Sequence, residues 1–88
     1  MVKYKKIYLD YFGYGEQDFI PCEACGNEAV DIYHIFNRGE NMDCIDNLIA
    51  LCRRHHNQAH GDKNHIDKSE FNYIHKSFLA GQRRQFLK

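Results

Sequence analysis

The residues best equipped for chemistry in this chain are four cysteines and six histidines, with one asparagine set among them. Cys22 and Cys25 form a CxxC knuckle followed at once by Gly26, and Cys52 and His55 form a CxxH pair further along. Structural Zn²⁺ takes four sulfur or nitrogen ligands in a tetrahedron. A CxxC or CxxH spacing lets one tight turn present both ligands to the same ion, so two such turns close a shell. A disulfide between Cys22 and Cys25 is the redox alternative, disfavoured because nothing near them reads as a thioredoxin-like βαβ unit. Cys44 could replace His55 as the fourth ligand. The spacing of His55 from Cys52 mirrors the first pair and favours His55, leaving Cys44 as a free thiol in a loop.

With His55 assigned to that frame, His56 and His60 remain. Residues four apart on a helix share a face, and two imidazoles so placed can bind one ion, as in HExxH sites. His34 belongs to a stretch expected to pair next to this helix, and Asn47 sits just before a second short strand, where a side-chain amide can tie down a loop. Any one of these histidines alone reads as an ordinary surface residue. Their combination inside a CxxC…CxxH frame points instead to a second, working metal site.

Several elements must hold these groups in place. Tyr4, Ile7, Tyr8, Tyr11 and Phe12 fall at helical spacing and predict an amphipathic helix over about 3–12, ended by Gly13. The segment GYGEQDFIP reads as a loop with Phe19 and Ile20 tucked onto the core. Ala29 to Phe36 (AVDIYHIF) is β-branched and aromatic and predicts a strand. Alternation places Val30, Ile32 and His34 on one face and Asp31, Tyr33 and Ile35 on the other. A polar loop, NRGENMDCIDN, leads to a short strand at Leu48 to Leu51, and the two strands should form an antiparallel hairpin. Arg53 to His60 reads as a helix stopped by Gly61. A last helix over about 67–80 begins at Asp67, with Glu70 placed as in a capping box, carries Phe71, Ile74, Phe78 and Leu79 as its apolar stripe, and ends at Gly81.

Eighty-eight residues make one small domain, a size at which a metal often supplements a modest core. The N-terminus MVKYKKIYLDYF is charged and carries no signal-peptide pattern, and no stretch is long and apolar enough to span a membrane. The expectation is a cytoplasmic protein with reduced thiols, in which cysteines ligate metal. Net charge is zero, yet it is uneven: residues 1–12 carry +2, residues 13–50 carry −7 and residues 51–88 carry +5. This excludes a uniformly basic nucleic-acid binder and leaves room for a local phosphate-binding face.

The stretches CEACGNEAVDIYHI and NLIALCRRHHNQAH resemble an HNH endonuclease domain, and YFGYGEQDFIPCEACGNEAVDIYHI resembles small HNH proteins of phages and prophages. The resemblance covers about residues 8–61. It implies a small α+β fold: a zinc-stabilised ββα-metal (HNH, or His-Me finger) hairpin and helix, core about 20–61, with flanking N- and C-terminal helices in a single domain over 1–88. It implies that His34 is the general base, Asn47 the central asparagine, and His56 and His60 the ligands of one catalytic divalent ion (Mg²⁺, Mn²⁺, Ni²⁺ or Zn²⁺). The structural Zn²⁺ shell is then Cys22, Cys25, Cys52 and His55, with His55 standing where the family most often has a cysteine.

The main departure is Tyr33, where the family usually carries a His or Asp that binds the catalytic ion. A neutral phenol is a poor ligand at pH 7, and Asp31, on the same strand face, is the candidate substitute. By this resemblance the substrate is DNA, held mainly through its phosphates, and the setting a bacterial or phage-infected cell; Arg38, the basic ends and above all Arg53 and Arg54, which adjoin the metal helix, could make the phosphate contacts. Cutting both strands in one encounter would need a homodimer. The reading from a different class is a zinc-stabilised DNA- or protein-binding module without activity, which Tyr33 favours and the HxxxH pair opposes.

Overall fold

The computed structural model of the protein describes residues 2–36, 42–59 and 66–81. Helix α1 (Lys3–Phe12) is followed by the knuckle, strand β1 (Asp31–His34), a 3₁₀ turn (Ile45–Asn47), strand β2 (Leu48–Leu51), helix α2 (Arg53–Ala59) and helix α3 (Lys68–Leu79). This is a small α+β arrangement with one antiparallel pair of strands, in which Asp31 faces Leu51, Tyr33 faces Ile49 and His34 faces Leu48.

Every residue of β2 is buried, because both faces of the hairpin are covered. On one side Tyr8 of α1 packs with Ile32, Leu48 and Ala50. On the other, Ile35, Ile49 and Leu51 pack with Ala59 of α2, with Phe71 and Ile74 of α3, and with the knuckle cysteines. A strand enclosed on both faces reads as a continuous apolar run, here LIAL, where a half-exposed strand would alternate. β1 keeps the expected alternation: Ile32 lies with the α1 cluster and Tyr33 with the α2–α3 cluster.

The knuckle is a small ladder of its own. Cys22 N–H donates to Asn27 O (2.6 Å), Ala29 N–H to Ile20 O (2.8 Å) and Gly26 N–H to Cys22 O (2.8 Å). Gly26 sits at φ 84°, a left-handed conformation that glycine adopts without steric cost. Helix α1 ends as predicted at Gly13, φ 73°, with Gly13 N–H on Asp10 O and Tyr14 N–H on Leu9 O, a Schellman closure.

Four expectations need correction. The first strand spans Asp31–His34, shorter than 29–36. Ala29 is taken up by the knuckle, and Val30 donates to Leu51 O although Leu51 is the register partner of Asp31, a step that ends the regular ladder. Phe19 is 58% exposed, because the turn closed by Asp18 onto Gly15 turns it outward and leaves only Ile20 to pack. Tyr11 is also exposed; the buried residues of α1 are Tyr8 and Leu9, so its inner face is rotated toward Leu9. Asp67 is the N-cap of α3, but its side chain makes no capping hydrogen bond. Its carbonyl accepts from Glu70 N–H and Phe71 N–H.

A buried polar network ties these parts together. Glu23, inside the knuckle, accepts from Tyr8 Oη of α1 (2.5 Å), from Ala50 N–H of β2 (3.3 Å) and from His75 Nδ1 of α3 (2.7 Å). The other nitrogen of His75 reaches Ile45 O at 2.5 Å. The Ile45 carbonyl only accepts, so Nε2 of His75 donates there. Tyr8, Glu23 and His75 are all buried. A carboxylate placed there is tolerable only because each of its oxygens is met by donors.

Candidate metal centres

Cys22, Cys25, Cys52 and His55 converge. Their ligand atoms all lie within 4.8 Å of one another and all four residues are buried. Cys25 Sγ and Cys52 Sγ are 3.8 Å apart, Cys22 Sγ and His55 Nδ1 3.7 Å, and Cys52 Sγ and His55 Nδ1 3.3 Å. With Zn–S near 2.3 Å and Zn–N near 2.05 Å, a tetrahedron has edges of about 3.8 Å between sulfurs and about 3.6 Å between sulfur and nitrogen. The cluster fits that shape and can hold a structural metal such as zinc. Its four donors come from two turns, the knuckle and the start of α2, with the hairpin between them.

The electrostatics differ from one donor to the next. Burial pushes the Cys22 thiol up to about 12, against hydrogen bonds from backbone N–H groups of Cys52, Ala24 and Cys25. Burial also raises Cys52, but N–H groups of His55 and Arg54 and the thiols of Cys25 and Cys22 outweigh it and leave Cys52 below its ordinary value. Burial, then the nearby Arg54 charge, lowers His55 and keeps its ring neutral, the form that binds metal. Cys44 is exposed and outside this cluster.

The second group is partly in view. His56 Nε2 lies 3.5 Å from Asp31 Oδ2, with side chains 19% and 43% exposed. An imidazole nitrogen and a carboxylate oxygen at that separation are close to the edge of about 3.4 Å expected between N and O donors around one zinc-like ion. Tyr33 packs its ring edge-on to His56, with centroids 5.8 Å apart, and tilts against Phe71 of α3. Burial raises its phenol above the ordinary value, so it keeps its proton and serves as a wall of the site. His60 and Arg38 lie outside the described residues, as does Gly61.

His34 sits apart from this pair. Its Nε2 is 2.7 Å from Asp43 Oδ1, and the ring of Tyr4 meets it edge-on with centroids 4.5 Å apart. It lies on the α1 side of β1, as alternation requires, whereas Asp31 and Tyr33 lie toward α2. Asn47 ties the neighbourhood down: Oδ1 accepts from Phe36 N–H (2.9 Å), while Nδ2 donates to Phe36 O (2.8 Å) and Met42 O (2.9 Å). One amide thereby joins the exit of β1 to the segment that re-enters before β2. Arg53 and Arg54 are exposed on α2.

Sequence reading overlooked Asp43, Glu23 and His75. For Asp43 and Glu23 no periodic signal exists. His75 had one, since it stands four residues after Phe71 on the apolar face of α3. Among the described residues no helix is long and apolar enough to cross a membrane. No family model, no curated protein and no solved structure matches the chain.

Proposed function

We propose that the protein is a metal-dependent endonuclease of the HNH type that hydrolyses phosphodiester bonds in DNA, with His34 as general base. The observation that carries this reading is the side chain of Asn47. It clamps the end of the strand bearing His34 to the incoming loop, beside a helix that the Cys₃His cluster anchors and that carries His56. The chain order of β1, β2 and α2, with metal-type donors on strand and helix, supports a ββα-metal unit, and zinc is the natural occupant of the Cys₃His shell. His56 and Asp31 would hold the working ion, with His60 as a further ligand by its spacing.

In this scheme His34 takes a proton from water. The O–H bond breaks, its electron pair stays on the oxygen, and the resulting hydroxide attacks phosphorus in line as the bond to the leaving oxygen opens. A divalent ion at His56 and Asp31 would supply Lewis acidity toward the phosphate oxygens. Tyr33 and Phe71 wall the His56 side of the site. Arg53 and Arg54 contact phosphates, which orients the duplex without reading sequence. A homodimer would be needed to cut both strands in one encounter.

One observation favours a second reading. Tyr33, packed on His56 and Phe71 and holding its proton, occupies the place of an ion ligand, which suits a zinc-stabilised binding module without activity. Plasmid nicking separates the two. With Mg²⁺, Mn²⁺ or Ni²⁺ the protein should convert supercoiled plasmid to the nicked form, and His34→Ala should slow this by at least about 100-fold with zinc content and melting temperature unchanged. Equal rates in that variant would remove the role given to His34, and no cleavage with any metal would favour the binding module.

A further inference from the structure

We propose that Asp43 is a positioning residue for His34, an inference that rests on reading His34 as the general base. A carboxylate only accepts hydrogen bonds, so at 2.7 Å from Asp43 Oδ1 the Nε2 of His34 must be the protonated nitrogen. That fixes the tautomer and leaves Nδ1 as the lone pair that meets water. When Nδ1 takes the proton, the ring becomes positively charged and the carboxylate already stands against it. A carboxylate holding one nitrogen of a catalytic imidazole is the arrangement that orients the base in hydrolytic triads.

The pair is built rather than incidental. The His34 side chain is 16% exposed and that of Asp43 39%, so the contact is partly shielded from water. Tyr4 covers the imidazole edge-on and restricts its rotation. Asn47 holds both partners through the backbone. It grips Phe36, just beyond His34, on both its N–H and its carbonyl, and it grips the carbonyl of Met42, which adjoins Asp43. Its own N–H returns to Cys44 O at 2.9 Å, on the other side of Asp43. The segment Met42–Cys44 is therefore fixed on both sides of Asp43, at the distance from β1 that the dyad requires. Asn47 thus sets the spacing, Asp43 the tautomer and Tyr4 the ring plane.

The test pairs kinetics with a spectroscopic readout that does not depend on activity. Nitrogen-15 NMR of the histidine side chains should show His34 as the Nε2–H tautomer in the wild-type protein and a loss of that preference in Asp43→Asn. The same variant should nick plasmid about 10- to 100-fold more slowly, in kcat rather than KM, with metal content and melting temperature unchanged. An Nδ1–H tautomer in the wild type, or wild-type nicking by Asp43→Asn while His34→Ala is inactive, would overturn the role of Asp43 alone. Wild-type nicking by His34→Ala would instead overturn the reading of His34 beneath it.

Discussion

At the scale of single residues, the chain separates what two adjacent side chains do. His55 turns inward to the cysteines, where burial keeps its ring neutral, while His56 turns to Asp31 and Tyr33. The ligands of the Cys₃His cluster were legible because each pair is local: a CxxC or CxxH turn brings its two donors together whatever the rest of the chain does. Asp43 was illegible for the opposite reason, since its contact with His34 depends on how a loop returns to a strand. Cys22 gives a prediction at this scale. Its thiol is pushed up to about 12 without metal, so zinc must displace a proton there, and affinity should fall as pH is lowered. Cys22→Ser should abolish the cooperative thermal transition that zinc-loaded protein shows in calorimetry. Structural zinc contributes about 10–16 kcal/mol at neutral pH, as much as the whole stability of about 5–15 kcal/mol of a typical domain. A transition unchanged in Cys22→Ser would remove zinc from the fold.

At the scale of elements, the helices and the hairpin followed their apolar patterns, because burial on one or two faces leaves a periodic trace. The exceptions were local. Phe19 and Tyr11 remain exposed because a turn and a helix rotation, neither visible in periodicity, decide which apolar residue faces in. The contact joining the knuckle to α1 and α3 was hidden, since Tyr8, Glu23 and His75 are far apart in the chain and look like a core aromatic, a turn acid and a surface histidine. The Glu23–His75 contact, 2.7 Å long, joins two side chains with 0% exposure. Breaking it in His75→Ala should cost about 3–5 kcal/mol, because a buried carboxylate loses its main partner, as urea unfolding would measure. Tyr8→Phe should cost less, about 1.5–3 kcal/mol for one hydrogen bond to a charged group. It should also change the pH dependence. Burial first, then the charge of Glu23, raise the Tyr8 phenol above its usual value near 10. The folded state therefore keeps a proton that the unfolded chain releases, so the stability is present below about pH 10 and is lost as pH rises beyond it. That alkaline loss should be shallower in Tyr8→Phe, and an identical alkaline limb would contradict the assignment.

At the scale of the molecule, two kinds of site share one short hairpin and one short helix. The Cys₃His cluster brings the start of α2 to the knuckle, the Glu23 network fastens the knuckle to α1 and α3, and at the hairpin Asp31 meets His56 on one side of β1 and His34 meets Asp43 on the other. The order of strands and helix could be read from the sequence. Alternation also divided the two faces of β1, whereas what each face meets depended on packing, because only the helices above and below the strand decide it. The endonuclease reading rests on two separate metal centres that meet between His55 and His56. Native mass spectrometry of protein titrated with divalent metal tests this most directly. Two ions per chain are expected for the wild type, one held through dialysis and one binding more weakly, and His56→Ala should retain the first and lose the second. A single ion in the wild type, or an unchanged count in His56→Ala, would contradict it.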